Sequence, residues 1–451
     1  MVIDEDTALS VCEYVVSKGL SKGATEVEAY LTYARSVTAS VENNRLHTAS
    51  ESYDFGVGIR VAKGKRVGFS FTNKLDSESL VNAIDKALDA ASSTPEDQSW
   101  RGFPGGPFTY ASPSGTYSSR IAKKEIRDAV ELTKLMMEYA LRDKRITVVE
   151  AGTAFSEGLV AIMNSHNVRG VDKWTATYMA IAVVANDGTY TTPIVYEWWG
   201  SRLSEGDPRR IASRAVTKAT SALNPIKVSS GKYHVILEPE ALTSLFNYTV
   251  KPALRGDFVV RGRSPLKGRE GELIASEYLS IVDDGLAPGG LATSKFDGEG
   301  IPKRRTELII KGVLRGFIYD TYWGRKAERT STGNAVRGSY STQPHVGFSN
   351  FIVSNGSESL ETHLSSIEGA LLVNELQGAH SSNPETGEFS VVGVPTWLVR
   401  KGELRAVKGV MIVGNVWNLL KRIEFISKER KILTSNFVPW IGFSGVRVVT
   451  Q

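Results

Sequence analysis

The feature that most constrains the fold is a change of period at Ala24. From there EVEAYLTYARSVTASVE and then FGVGIRVAKGKRVGFSFTN alternate between apolar and polar residues. Successive side chains on a strand point to opposite faces, so these runs read as strands with one buried face. Lys63-Gly64, inside the second run, marks a hairpin turn. The pattern returns over Ile146–Ser201. There VAIMNSHNVRGVDKW reads as strand, turn, strand, and TYMAIAVVANDGTYTTPIVYEWWG as a long hairpin about Asn186-Asp187-Gly188 that ends at Trp198 and Trp199.

Helical spacing fills the gaps between the strands. Asp4–Lys18 places Ala8, Leu9, Cys12, Val15 and Val16 on one face. Asp76-Ser77 caps a run with Leu80, Ile84, Ala87 and Leu88 in register. Ile121–Arg142 carries Ile126, Val130, Met137 and Leu141 as an apolar stripe, with Met136 and Met137 as core filler. Asp207-Pro208 starts a helix with Ile211, Ala215 and Ala219 facing inward. Strands backed by helices make an α+β class. Ser92–Ser119 is rich in Pro, Gly and Ser and reads as a long surface connection pinned by Trp100 and Phe103.

A chain of 451 residues exceeds one ordinary core. NPIKVSSGK is short, polar and turn-prone, and divides an N-terminal α+β domain, 1–224, from a C-terminal β-rich domain, 225–451. The second part holds two matching hairpin phrases, TELIIKGVLRGFIYD and TWLVRKGELRAVKGVMIVG, turning at Lys311-Gly312 and Lys401-Gly402. It is expected to be dominated by antiparallel sheet, barrel- or sandwich-like, with helices about Leu360–Ile367 and Asn418–Ile426.

Composition excludes little. With 41% hydrophobic and 23% charged residues the chain is globular, and its net charge of +5 and pI of about 9.0 suit anionic ligands such as carboxylates or phosphates. A nucleic-acid binder concentrates more charge, so that partner is weakly supported. The acidic start MVIDEDTALS lacks the basic and apolar regions of a signal peptide, and the longest apolar run, Met179–Ala185, cannot span a bilayer. A cytoplasmic protein is expected. Cys12 alone allows no intrachain disulfide.

The chemistry gathers around Leu237–Gly285. Glu238-Pro239 starts a helix through Leu242, Leu245, Phe246 and Thr249, which Pro252 stops. Arg255, Arg261, Arg263, Lys267 and Arg269 follow, opposed by Asp257. With Arg304-Arg305 they form a candidate seat for a peptide C-terminus or a phosphate, or else an interface rim. KERK at Lys428–Lys431 is a further basic cluster. Asp283-Asp284 and Asp297/Glu299 read as loop carboxylates, solvated or capping, that burial alone could make acids or bases. His345, His363 and His380 share the second domain, yet no two histidines lie within a helix turn. P-loop, strand–GxGxxG–helix and GxSxG patterns are absent.

These phrases, in order, resemble the TldD/PmbA family, and within it the PmbA (TldE) branch. The resemblance is carried by GATEVEAYLTYARSVTASVENN, FGVGIRVAKGKRVGFSFT, VAIMNSHNVRG, GDFVVRGRS, GELIASEYLSIVDDG, FDGEGIPKRR, LIIKGVLRGFIYD, STGNA, VNELQG and MIVGN. In the TldD branch the helix before GDF carries HExxxH, whose histidines bind a catalytic zinc with a cysteine near the C-terminus. Counted back from Gly256-Asp257-Phe258, those positions here are Asn247, Tyr248 and Pro252, and NFVPWIGFSG has no cysteine. The resemblance therefore implies no cofactor in this chain and zinc in a TldD-like partner. It implies a heteromeric metallopeptidase that degrades unfolded or short peptides. Arg261, Arg263, Arg304, Arg305, Thr332, Gly333 and Asn334 are the expected peptide or partner contacts. A homodimer, a stand-alone hydrolase using His345 or His380 with Glu299, and a binding module for nucleic acid or another anionic partner stay open.

Overall fold

The structure, a computed structural model, describes residues 3–450. The alternating runs build a sheet from β1 (Glu26–Glu42), β2 (Arg45–Lys63), β3 (Arg66–Thr72), β4 (Ile146–Asn164), β5 (Arg169–Ala185) and β6 (Val195–Ser201). Their order is β3-β2-β1-β4-β5-β6, every neighbouring pair antiparallel.

The two-residue period gives this sheet two different faces. Val27, Ala29 and Leu31 of β1, with Val57, Ile59 and Val61 of β2, bury against α1 (Glu5–Ser21) and α2 (Ser77–Ser93). Asp76 caps α2 by accepting the Ser79 N–H, a contact worth about 1 kcal/mol. Further along, Met179, Ile181 and Val183 of β5 bury in one cluster with two more helices, Ile126–Ala140 and Pro208–Ser221. The stretch expected as one helix, Ile121–Arg142, is two: α3 (Ser119–Ala122) and α4 (Ile126–Ala140). Lys123, Lys124 and Glu125 carry no apolar position, and Asp128 turns back to accept the Glu125 N–H at 2.9 Å, restarting the helix there. α5 (Pro208–Ser221) begins as its Asp-Pro pair dictates, with Asp207 accepting the Arg209 N–H at 2.9 Å.

The second sheet draws its strands from further along, beginning with β7 (Gly231–Leu237), β8 (Ile281–Asp284) and β9 (Arg305–Ile310). Thirteen strands join it among the described residues. Two pairs are parallel: Phe351–Val353 with Asn436–Val449, and Glu368–Val373 with β7. The remaining pairs are antiparallel, as expected, but the sheet is open. One end is the two-residue strand Val313–Leu314 and the other is Glu403–Val407, and they do not pair, so the barrel alternative is wrong. The helix expected at Asn418–Ile426 is also corrected. Asn415 caps a shorter helix, Val416–Leu420, by accepting the Trp417 N–H at 3.0 Å. Ile423–Leu433 is strand, paired with Asn436–Val449.

The other face of the first sheet meets loops of the second region. At Gly58 of β2 an added Cβ would lie 2.2 Å from the Tyr340 carbonyl oxygen, so only glycine lets the loop approach this closely. The connection between α2 and α3 packs at this seam. Phe103 donates its N–H to Glu26 at 2.7 Å and lies under the Arg60 guanidinium. Among the described residues no helix is long and apolar enough to cross a membrane.

Candidate functional site

The helix that opens the Leu237–Gly285 stretch is α6 (Pro239–Tyr248). Its apolar face, Leu242, Leu245 and Phe246, is fully buried against the second sheet. Burial at that depth is worth about 1.5–3 kcal/mol per side chain. Pro252 does not stop this helix. The chain breaks at Thr249 (φ −130°, ψ −65°) and resumes as α7 (Val250–Ala253), with Pro252 inside it. The physical reason is the same ring: it would clash with the carbonyl four residues back, at Tyr248, where α6 ends. Within the first turn of α7 its missing N–H goes unnoticed.

Asn247 and Tyr248 are exposed on the outer side of this break, Tyr248 at 44%, with the His380 ring edge-on at 6.4 Å. Pro252 is half-buried. An amide, a phenol and a proline ring present no imidazole and no carboxylate, so these positions do not fit a zinc ligand set. No group of three or more His, Cys, Asp or Glu side chains is arranged to hold a metal among the described residues. Lys251 turns inward beside them. It donates to Asn436 Oδ1, faces the Phe351 ring at 5.0 Å, and burial pushes it down to about 8.

The basic loop is largely paired. Arg255 makes a two-point contact with Asp257 (3.0 and 2.9 Å), flanking the start of α8 (Gly256–Val260). Arg263 reaches Glu385 at 2.7 Å and Arg261 stacks on Trp323 at 4.6 Å. Arg269 pairs with Glu272, and Arg304 donates to the Ser331 carbonyl. Arg305 is exposed at the start of β9. The structure does not bring these arginines to one point.

Thr332, Gly333 and Asn334 do come together, around charged groups read too simply from sequence. Asn334 donates to Asp283 Oδ2 at 2.6 Å, and the Thr332 hydroxyl donates to Asn334 Oδ1 at 2.6 Å. Lys303 donates to the Gly333 carbonyl at 2.9 Å and to Ser349 Oγ at 2.7 Å. Asp283 is not in a loop but in β8, and burial pushes it up to about 6 despite Lys303. Asp297 and Glu299 are not solvated either: they are 3% and 4% exposed. Asp297 Oδ1 accepts the Glu299 and Ile301 N–H groups, and Oδ2 accepts that of Ala335. Burial, then the neighbouring Glu299 charge, raises Asp297 above the ordinary carboxylate range.

Glu299 belongs to a network that sequence reading missed. Glu28 of β1 and Arg60 of β2 are cross-strand partners, joined at 2.9 and 2.7 Å. Arg60 also donates to Glu299 at 3.3 Å, and Glu299 accepts the Thr321 N–H at 2.9 Å at the start of α9 (Thr321–Lys326). Arg337 completes it, donating to Glu28 and to the Gly298 carbonyl. Burial would raise Glu28, but Arg337 and Arg60 win and hold it below its usual range. Glu299 thus meets arginine and a backbone N–H rather than His345 or His380. Asp320, the cap of α9, is raised by burial and by the Glu299 charge.

A second charged seam ties α6 to the first region. Lys218 of α5 contacts Glu197 of β6 and Glu238 at 2.8 and 2.9 Å. Lys431, from the KERK cluster, contacts Glu240 and Glu197 at 2.6 and 3.0 Å. Nearby Glu375 is pushed up to about 7 by burial and the Glu240 charge.

Comparison with known proteins decides the family. Three family models match in sequence order: PmbA/TldA metallopeptidase domain 1 over residues 27–91, the central domain over 119–223 and the C-terminal domain over 230–450. The chain is 31% identical over 420 residues to an uncharacterised protein of Methanocaldococcus jannaschii, covering 92% of this chain and 96% of that one. The chain belongs to the PmbA/TldD family. Within the family, the metalloprotease PmbA of Escherichia coli O157:H7 is 25% identical over 92% of this chain and 89% of its own length. The crystal structure of TldE from Thermococcus kodakarensis superposes with a TM-score of 0.92 at 31% identity, over 98% of this chain and 100% of that chain.

Proposed function

We propose that this chain is the PmbA/TldE-like, non-metal subunit of a heteromeric peptidase, assembled in the cytoplasm with a zinc-bearing TldD-like chain. The observation that carries this reading is the break after α6, where Asn247, Tyr248 and Pro252 supply neither imidazole nor carboxylate. The likeness to TldE supports it. The chain's part in the chemistry is architectural: its own residues close the chamber and hold extended peptide, by strand addition at a free sheet edge. Unfolded or short peptides suit that mode, because main-chain hydrogen bonds read no particular side chain. Arg261, Arg263, Arg304 and Arg305 are assigned to the rim facing partner or peptide. Thr332, Gly333 and Asn334 set the geometry behind it. Titrating this chain into a TldD-like chain tests the proposal. Peptidase activity is expected to rise to a plateau at a fixed ratio; a flat titration contradicts it.

A further inference from the structure

Where β2 and β3 meet α9 lies a cavity of about 250 Å³. That is just under the roughly 300–1,000 Å³ of drug-sized ligands and suits a single amino-acid residue. Half-buried Trp100, Tyr322 and Trp323 and buried Arg60, Glu299 and Asp320 line it, so the charges form its inner end. Arg60 and Glu299 keep 6% and 5% of their side-chain surface open. Arg337 and Glu28, which continue the same network, keep none.

The inner end is not closed on itself. Glu299 is satisfied at both oxygens, by Arg60 and by the Thr321 N–H. Arg60 spends Nε and Nη2 on Glu28 and Glu299, and its Nη1 has no partner among the described residues. Asp320 caps α9 through Oδ1, which accepts the Trp323 N–H at 2.7 Å, while Oδ2 accepts nothing among the described residues. Neither free atom is sealed from solvent. Arg60 pairs with Glu28 and Glu299 but not with Asp320, so the free donor and the free acceptor stand apart. The charges felt by Asp320 are the carboxylates of Glu299 and Asp297 against the Arg60 guanidinium. Two carboxylates outweigh one guanidinium, so the acceptor side favours a cation. Arg261 and Lys326 already lie over the Trp323 ring, at 4.6 and 5.3 Å, which leaves the aromatic wall to an apolar group rather than to a further cation.

We infer that this cavity binds an α-ammonium group together with its neighbouring carbonyl oxygen, the chemistry of an amino-terminal residue. The ammonium would sit on Asp320 Oδ2, the carbonyl oxygen on Arg60 Nη1, and an apolar side chain against Trp100 and Tyr322. Each free atom then gains a charge-assisted hydrogen bond. The amino terminus of a peptide and a free amino acid share this chemistry. The site has no residue in common with the α6 break, so it stands whether or not a zinc-bearing partner is found.

The test uses the isolated full chain. Leucinamide, N-acetyl-leucinamide, free leucine and the tripeptide Leu-Ala-Ala are titrated, with calorimetry and tryptophan fluorescence as readouts; Trp100 and Trp323 line the cavity. Leucinamide is expected to bind and its N-acetyl form at least about tenfold more weakly, the loss of one charge-assisted hydrogen bond. Binding of the tripeptide as well assigns peptide amino termini, and binding of leucine without the tripeptide assigns free amino acids. D320N, which keeps an acceptor for the α9 cap, is expected to abolish the preference for the free amine. Should D320N fail to fold, Gln343 carries the test, because it lines the cavity from an exposed position. Q343K is expected to bind leucinamide about threefold more weakly than Q343E, with N-acetyl-leucinamide unmoved. Equal binding of leucinamide and its N-acetyl form, binding of none of the four, an unchanged preference in folded D320N, or equal leucinamide affinity in Q343K and Q343E overturns the assignment.

Discussion

Two regions of this molecule carry charge or chemistry on comparable scaffolding, and they differ in what they tolerate. The break after α6 exposes Asn247 and Tyr248 to solvent with few obligations. The seam under β1 and β2 buries Glu28, Arg60, Glu299 and Arg337, each with a polar partner. An exposed position can exchange one side chain for another at little cost, so a fold keeps its shape when the residues there change. A buried charge has no such freedom, because removing one partner strands the other. In this chain the charged seam is thus the place least tolerant of change, while the α6 break is a place where residues can differ without the fold knowing.

The largest expected effect breaks the seam. Glu28→Ala leaves Arg337 and Arg60 short of their common acceptor and is expected to cost about 3–5 kcal/mol in urea unfolding. A cost under 1 kcal/mol would place the fold's strength elsewhere. Next, Gly58→Val drives a side chain into the Tyr340 carbonyl, 2.2 Å from where Cβ must sit. About 1–3 kcal/mol is expected, with increased proteolysis near residue 340 as the local signature.

Third comes pH. Asp283, Asp297, Asp320 and Glu375 are all raised in the folded state, Asp283 to about 6 and Glu375 to about 7. Each therefore holds its proton where the unfolded chain, ordinary near pH 4, has lost it. Their contribution is fully present below that ordinary value and disappears as pH rises through the folded values. Glu28 and Glu197 are lowered and stay ionised across this window. Stability is expected to fall between about pH 5 and pH 7.5, and Asp320→Asn to make the fall shallower. An unchanged slope in that variant contradicts the assignment. The smallest effect belongs to the α6 break. Asn247→Ala and Tyr248→Ala are each expected within about 0.5 kcal/mol of the parent.

The same contrast explains what could be read from the sequence. The strands of the first sheet were legible because one face is helix-covered, which forces a strict period of two. The cap residues Asp76 and Asp207 announced their helices for an equally local reason. Pro252 misled because the ring's clash acts four residues upstream, so the break appears at Thr249. Asn418–Ile426 misled because Leu419, Leu420, Ile423 and Ile426 recur with helical spacing, while the helix ends at Leu420 and Ile423 onward pairs along Asn436–Val449 as strand. The open sheet could not be read at all, since closure depends on which distant strands meet. Carboxylates such as Asp297 and Glu299 read as loop residues because burial is a property of the assembled seam. Glu28 and Arg60 were out of reach of a simple count: back from the Glu42–Arg45 turn pair it sets Glu28 opposite Ile59, and only the one-residue register shift between Ser40 and Val41 brings Arg60 opposite Glu28.

The α6 break of this chain is proposed to work without metal and in company with a TldD-like chain. Zinc content measured by mass spectrometry tests it most directly, on the purified chain and on the complex. Negligible zinc in the chain alone, and stoichiometric zinc in the complex that is lost when the partner's metal motif is mutated, is the expected result. One tightly held zinc per isolated chain would contradict it.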